Sequence, residues 1–138
     1  NNPTYNNDLG YIWADHDMNL AESEKLIRKA IEEDRKIRRK ANPGLKKDKD
    51  TAAYLDSLGW VLFKQKKYKE AKPYLLDAIK DPEGRHIEIY DHLAEVHLAL
   101  GEKAEAVAAW KEALKAAGTS KREQQRKAEV EKKLKANE

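Results

Sequence analysis

The chain has 138 residues, 40% of them hydrophobic and 38% charged, and a net charge of +3. That length supports one domain with a real core, and so mild a charge gives nucleic acid little support as a partner. The lack of cysteine excludes disulfides and thiolate metal sites, and no run approaches the roughly 18 consecutive apolar residues of a membrane span.

Alanine, leucine, lysine and glutamate dominate, which favours helices over strands. The chain does not begin with Met, so it reads as a piece of a longer protein or a processed chain. Its first residues then say nothing about targeting, and cytoplasm and periplasm both stay open for what reads as a soluble chain.

The expected helices follow in chain order. The first covers 3–15 and the second 20–40, where Asn19 with Glu22 reads as an N-cap and its acidic partner. A third covers 51–66, and a fourth 68–80 with Pro73 close behind its first turn. A fifth over 86–100 is stopped by Gly101, and a sixth over 103–117 by Gly118. Ser120 with Glu123 opens a last helix over 120–136, whose only large apolar pair is Val130 and Leu134.

These helices carry an internal repeat. Leu55-x2-Leu58-Gly59-x2-Leu62 is followed by Ala71-x3-Leu75-x2-Ala78, and Tyr90-x2-Leu93-Ala94-x2-His97 by Ala106-x3-Trp110-x2-Ala113. Leu58 to Leu93 and Ala78 to Ala113 are both 35 residues. A third copy runs Asn6-x2-Leu9-Gly10-x2-Trp13, then Ser23-x3-Ile27-x2-Ala30.

The pattern resembles the tetratricopeptide repeat, W-x2-L-G-x2-Y then A-x3-F and a closing Pro, over roughly residues 3–117. No copy has Trp at the first position, His97 sits at a usually aromatic place, and only Asp81-Pro82 supplies the proline. The resemblance implies an all-α fold: a right-handed superhelix of three antiparallel helix pairs plus a capping helix. The chain then divides, as one domain, into repeat 1 (3–40), repeat 2 (51–82), repeat 3 (86–117) and the cap (120–136). It also explains a glycine inside a helix, which costs about 1 kcal/mol against alanine. Gly10, Gly59 and Ala94 fall where each first helix meets its own second helix, and a small residue lets the backbones approach. The polar last helix fits a cap. Repeat 1 has no matching cap and shows Tyr5, Ile12 and Trp13, so either more repeats lie upstream or its open end packs on another chain.

Between repeats 1 and 2 lie 13 extra residues within a basic stretch, 35–50. From Arg28 to Asp50 there are ten basic and five acidic residues. The plainer reading is a solvated insertion, since no aromatic residue interleaves the charges to stack on bases. The other is an arm for anionic surfaces or nucleic acid.

The first helices of such arrays line a concave ligand surface. The resemblance selects Asn7, Asp8, Tyr11 and Ala14 from repeat 1. It selects Asp56, Ser57, Trp60 and Phe63 from repeat 2, and Asp91, His92, Glu95 and Leu98 from repeat 3, with Lys64 at the rim. Of these, Asn7, Tyr11, Asp56, Trp60, Lys64, Asp91, His92 and Glu95 are the candidate ligand-binding residues. Aromatic anchors amid carboxylates favour a basic or aliphatic peptide or protein. One subtype of the family clamps acidic C-termini with Lys and Arg in this groove. Asn7, Tyr11, Asp91 and Glu95 hold the matching places here and would repel a carboxylate.

No phosphate loop, nucleophile elbow or zincin motif appears, so the chain reads as no enzyme, with no cofactor. Asp15-His16-Asp17, or His92 with Glu95 and with His86 and His97 nearby, could be imagined on a metal, but a turn tripeptide rarely converges and the histidines read as groove wall. Function therefore reads as a protein-interaction scaffold. The alternatives are an oligomerisation unit through repeat 1 and anionic-surface binding by the insertion.

Overall fold

Helix caps and crossing points organise the chain. The computed structural model describes residues 2–44 and 49–138. Among the described residues there are seven α-helices and no strand: α1 (Pro3–Asp15), α2 (Leu20–Ala41), α3 (Ala52–Lys64), α4 (Tyr68–Lys80), α5 (Ile87–Ala99), α6 (Lys103–Ala116) and α7 (Lys121–Asn137). A short 3-10 turn, Pro82–Gly84, joins α4 to α5, with the Asp81 carboxylate accepting from the Glu83 N–H at 3.0 Å.

The helices pack as three pairs, α1 with α2, α3 with α4 and α5 with α6. Each pair also stacks on the next, through α2 on α3 and α4 on α5. One continuous core runs through the stack. Ile27, Ala30, Leu62, Ala71, Leu75, Ala78, Ala106, Trp110 and Ala113 are all 0% exposed within it.

The glycines at the crossings answer to space. A Cβ on Gly59 would lie 2.6 Å from Leu75 Cγ, and one on Gly10 2.7 Å from Ile27 Cγ1 and 3.0 Å from the Ser23 carbonyl. At the Gly10 crossing the buried Ser23 hydroxyl donates to the Gly10 carbonyl at 2.5 Å. So the repeat leucine's neighbour faces the partner helix of its own pair.

Several local expectations need correction. Asn19 starts α2 in the left-handed region (φ 47°), and its side chain makes no cap bond. That geometry points the side chain away from the first-turn N–H groups, so the Asn19–Glu22 capping box does not form. Pro73 does lie inside α4 just behind its first turn, as expected. Lys69, whose carbonyl it leaves without a helical donor, is exposed beside it. Gly101 does end α5 through a left-handed backbone (φ 77°). Gly118 does not end α6 that way. The extended Ala117 breaks the helix. The Gly118 N–H then donates to Glu123 Oε2 at 2.7 Å, where a Cβ would come within 2.5 Å of that carboxylate. Glu123 also takes the Ser120 hydroxyl at 2.8 Å, and these donors hold its carboxyl below the usual range.

The end of α2 is also tied down. Arg35 binds Asp50 through Nε at 2.8 Å and Nη2 at 2.7 Å, and Arg38 reaches the same carboxylate at 3.0 Å. The Thr51 hydroxyl donates to Asp34 at 2.7 Å. The paired guanidinium of Arg35, with Arg38, keeps the Asp50 carboxyl low. Asp50 thus braces the long helix against the start of α3. Residues 45–48, part of the basic stretch, lie outside the described residues.

The Gly59 contact is directly testable. Gly59→Ala gains about 1 kcal/mol of helix propensity. It forces a methyl onto a fully buried leucine, an overpacking cost of about 1–3 kcal/mol. We expect a net loss of roughly 1 kcal/mol by urea titration. Combined with Leu75→Ala, the loss should be smaller than the sum of the two single losses. Additive losses would show that the two residues do not share this contact.

Candidate functional site

The first helices of the pairs, α1, α3 and α5, stand side by side, and α7 stacks beside α5. Their shared face is the candidate site. Its centre is aromatic. Trp60 stacks on His92, with ring centroids 3.9 Å apart and planes 18° apart, and on Phe63 at 4.8 Å and 5°. Lys64 Nζ lies 5.2 Å from the Trp60 ring and pairs with Asp17 at 3.3 Å. The Trp60 indole N–H donates to Asp15 at 3.2 Å. Tyr11 donates its hydroxyl to Glu88, and its ring lies 6.1 Å from His92. Burial, then the Glu88 charge and hydrogen bond, push the Tyr11 phenol far above its ordinary value, so it stays a donor.

The acidic positions do not all face solvent. Asp56 is 6% exposed and Asp91 1%. Asp56 Oδ1 lies 2.7 Å from His92 Nδ1. The carboxylate only accepts, so the ring nitrogen donates. Asp91 accepts from the Trp110 indole at 2.9 Å, from Arg126 at 3.0 Å and from Lys133 at 3.0 Å. Burial alone would raise the Asp91 carboxyl, but the Lys133 charge and the Trp110 and Lys133 hydrogen bonds outweigh it and hold it low. Glu95 goes the other way. Burial and the Asp91 charge raise it despite Lys133 at 3.9 Å.

These contacts change the reading of α7. Val130 (0% exposed) and Leu134 (8%) do anchor it to the core. Its adjoining face then puts Arg126 and Lys133 onto the third repeat's carboxylates, and Arg122 3.4 Å from Glu88. It therefore acts as a fourth first-helix in the row. The α5 end of the concave face is neutralised from within, while the α1 end stays acidic.

The repeat register shows why. Asn7, Asp56 and Asp91 hold the position two before the repeat leucine, and Arg126 follows Asp91 at the 35-residue interval that separates Asp56 from Asp91. In two of the three gaps this acceptor is served by the following helix: Asp56 by His92, Asp91 by Arg126. In the first gap it is not. Ser57, the counterpart of His92, turns its hydroxyl back to the Ala53 carbonyl at 3.0 Å. Asn7 Oδ1 is buried with no partner among the described residues.

A cleft of about 600 Å³ opens at that gap. Asn7, Asp8, Tyr11, Ile12 and Asp15 line it from α1, and Ala53 and Ser57 from α3. Glu88 of α5 and Arg122 of α7 close its far side. Asp8 and Asp15 are exposed, whereas Ala14 is fully buried. His97 is turned away and bonds Glu102 at 2.8 Å. Among the described residues no three potential metal ligands converge.

Sequence reasoning did not single out Glu88, Arg122, Arg126 or Lys133. Arg126 had a signal, since the 35-residue interval could have been extended one step past repeat 3.

The tetratricopeptide-repeat family model matches residues 51–81 and 87–117, which are α3–α4 and α5–α6. These two segments are tetratricopeptide repeats. PcrH from Pseudomonas aeruginosa has a similar structure, with a TM-score of 0.70 at 18% identity, over 97% of this chain and 89% of that one. That likeness concerns the fold alone. None of the curated proteins is similar in sequence. Helices α1 and α2 lie outside the matched segments, and α1 forms one wall of the cleft.

Asp91 ties acid stability to α7. Its stabilising contribution is complete above the ordinary carboxyl value of 3.8 and is lost as the pH falls through the lowered folded value. Asp91→Asn should cost about 3 kcal/mol at neutral pH, because it leaves partly buried cations without their counter-charge. The variant's stability should also fall less steeply between about pH 4 and pH 2 than the wild type's. Urea titrations across that range measure both, and identical slopes would mean Asp91 is not the linked group.

Proposed function

We propose that this chain is a non-enzymatic protein-interaction module that holds a peptide or protein segment on its concave face. The supporting observation is the open cleft between α1, α3 and α5, where Asp8, Asp15 and Glu88 surround the apolar surfaces of Ile12 and Ala53. Of the candidate residues, Asn7, Tyr11 and the largely buried Asp56 line this cleft, Lys64 and Glu95 are half-buried beyond it, and Trp60 supports them. Asp91 and His92 act from beneath by holding the helices in register, and Asp56 joins them through its bond to His92. The charge at the open end favours a basic or aliphatic segment over an acidic C-terminal carboxylate. Nucleic acid is a poor fit, because Arg35 and Arg38 are held on Asp50. Among the described residues no helix is long and apolar enough to cross a membrane.

Selection from a random peptide library tests this reading. Ala53 is exposed and lines the cleft, so Ala53→Arg fills it without touching the core. Peptides selected on the wild type should lose about tenfold or more in affinity on that variant. Peptides that bind both proteins equally would place the site elsewhere.

A second reading, self-association through repeat 1, is favoured by one observation. Tyr5 (65% exposed), Ile12 (53%) and Met18 (51%) leave large apolar surface at the α1 end. Sedimentation should then show a concentration-dependent dimer that Tyr5→Lys with Ile12→Lys abolishes. A wild type that stays monomeric at high concentration rules this reading out.

A further inference from the structure

We propose that the first inter-helix gap is an anchor pocket for a single arginine side chain supplied by the partner. This rests on the concave-face reading and adds the residue class that enters the cleft. Three observations carry it. Asn7 is 6% exposed, lines the cleft and has an acceptor oxygen with no partner. Asp8 stands one residue on, exposed, with no hydrogen bond or ion pair to any described residue. The register supplies the third. At the place equivalent to Asn7, Asp91 takes the Arg126 guanidinium at 3.0 Å, and Glu88 takes Arg122 at 3.4 Å. The gap between α5 and α7 is thus filled by arginines of the chain itself. In the gap between α1 and α3, Asn7 Oδ1 and Asp8 have no cation bonded to them among the described residues, and Arg122 at the cleft's far side is paired with Glu88.

Arginine fits better than lysine. The acceptors Asn7 Oδ1 and Asp8 come from one turn of the helix wall, with Asp15 about two turns further along it. A planar guanidinium presents several donors in fixed directions and is less strongly hydrated than an ammonium. The Asn7 amide can turn about its broad χ2 torsion to meet a donor. Ile12 and Ala53 offer apolar surface to the methylene stem.

The probes are N-acetyl-arginine amide, the matching lysine compound and the neutral citrulline compound, each titrated into isotope-labelled protein and followed by amide chemical shifts. We expect saturable shifts of the Asn7 side-chain amide and of Ser57 with the arginine compound. The affinity should be about tenfold weaker for citrulline, which keeps the shape and loses the charge. Asp8→Lys, an exposed change, should abolish the arginine response, and Asn7→Asp should strengthen it about tenfold by recreating the Asp91 arrangement. An equal response to lysine or citrulline, no saturable shift, or an undiminished response in Asp8→Lys overturns the proposal. The two readings fail separately. Selected peptides that lose binding on Ala53→Arg but share no arginine position refute the anchor and leave the concave face standing. Selected peptides indifferent to Ala53→Arg refute the concave face itself.

Discussion

Leu75 occupies the space that any side chain at position 59 would need, and Ile27 does the same opposite position 10. This close approach of paired helices sets everything else. It fixes how α3 rotates about its own axis, because Gly59 must face α4. With Gly59 turned inward, the residues before and after it are turned toward the row of first helices. Asp56 and Trp60 therefore meet α5 and α1. The helix-propensity cost of a mid-helix glycine, about 1 kcal/mol, is small against the burial of a leucine in the same crossing, about 1.5–3 kcal/mol.

Cross-helix polar bonds then pin the register of the row. A carboxylate two before the repeat leucine binds a donor from the next first-helix, His92 in one gap and Arg126 in the next. Such groups are costly to bury without partners, so each correct pairing also penalises a slipped one. The row begins with a neutral amide, Asn7, whose oxygen has no donor. The uneven filling of these gaps gives the shared face of the first helices its polarity, neutral where α7 answers α5 and acidic where α1 meets α3. Charge complementarity on such a face governs partner choice and encounter rate more than total affinity.

The described flanks of the basic stretch, the end of α2 and Asp50, form a brace. Arg35 and Arg38 converge on Asp50 from adjacent turns of α2. The basic character visible in composition thus has an internal counterpart. The same holds for α7, where Arg126 and Lys133 meet Asp91 instead of solvent.

The helical class and the repeat were legible in the sequence, because both rest on spacing along one chain. Glycine or alanine beside the repeat leucine, and small residues 12 and 19 positions later on the partner helix, report contacts that recur at a constant interval in repeats 2 and 3. Capping was legible at Ser120 and misleading at Asn19, whose own left-handed backbone leaves its side chain without a cap bond, and at Gly118, where the extended Ala117 ends the helix first. Which candidate residues line open space was a different matter. Asp56, Asp91 and His92 sit at ligand-facing positions by register, yet their side chains are buried on one another's helices and on α7. Burial and pairing depend on what stands across the gap, and a periodic pattern carries no information about that. The sequence by itself determined which face each helix turns inward. Only the tertiary structure decided which polar groups on the other face found partners and which, at Asn7 and Asp8, did not.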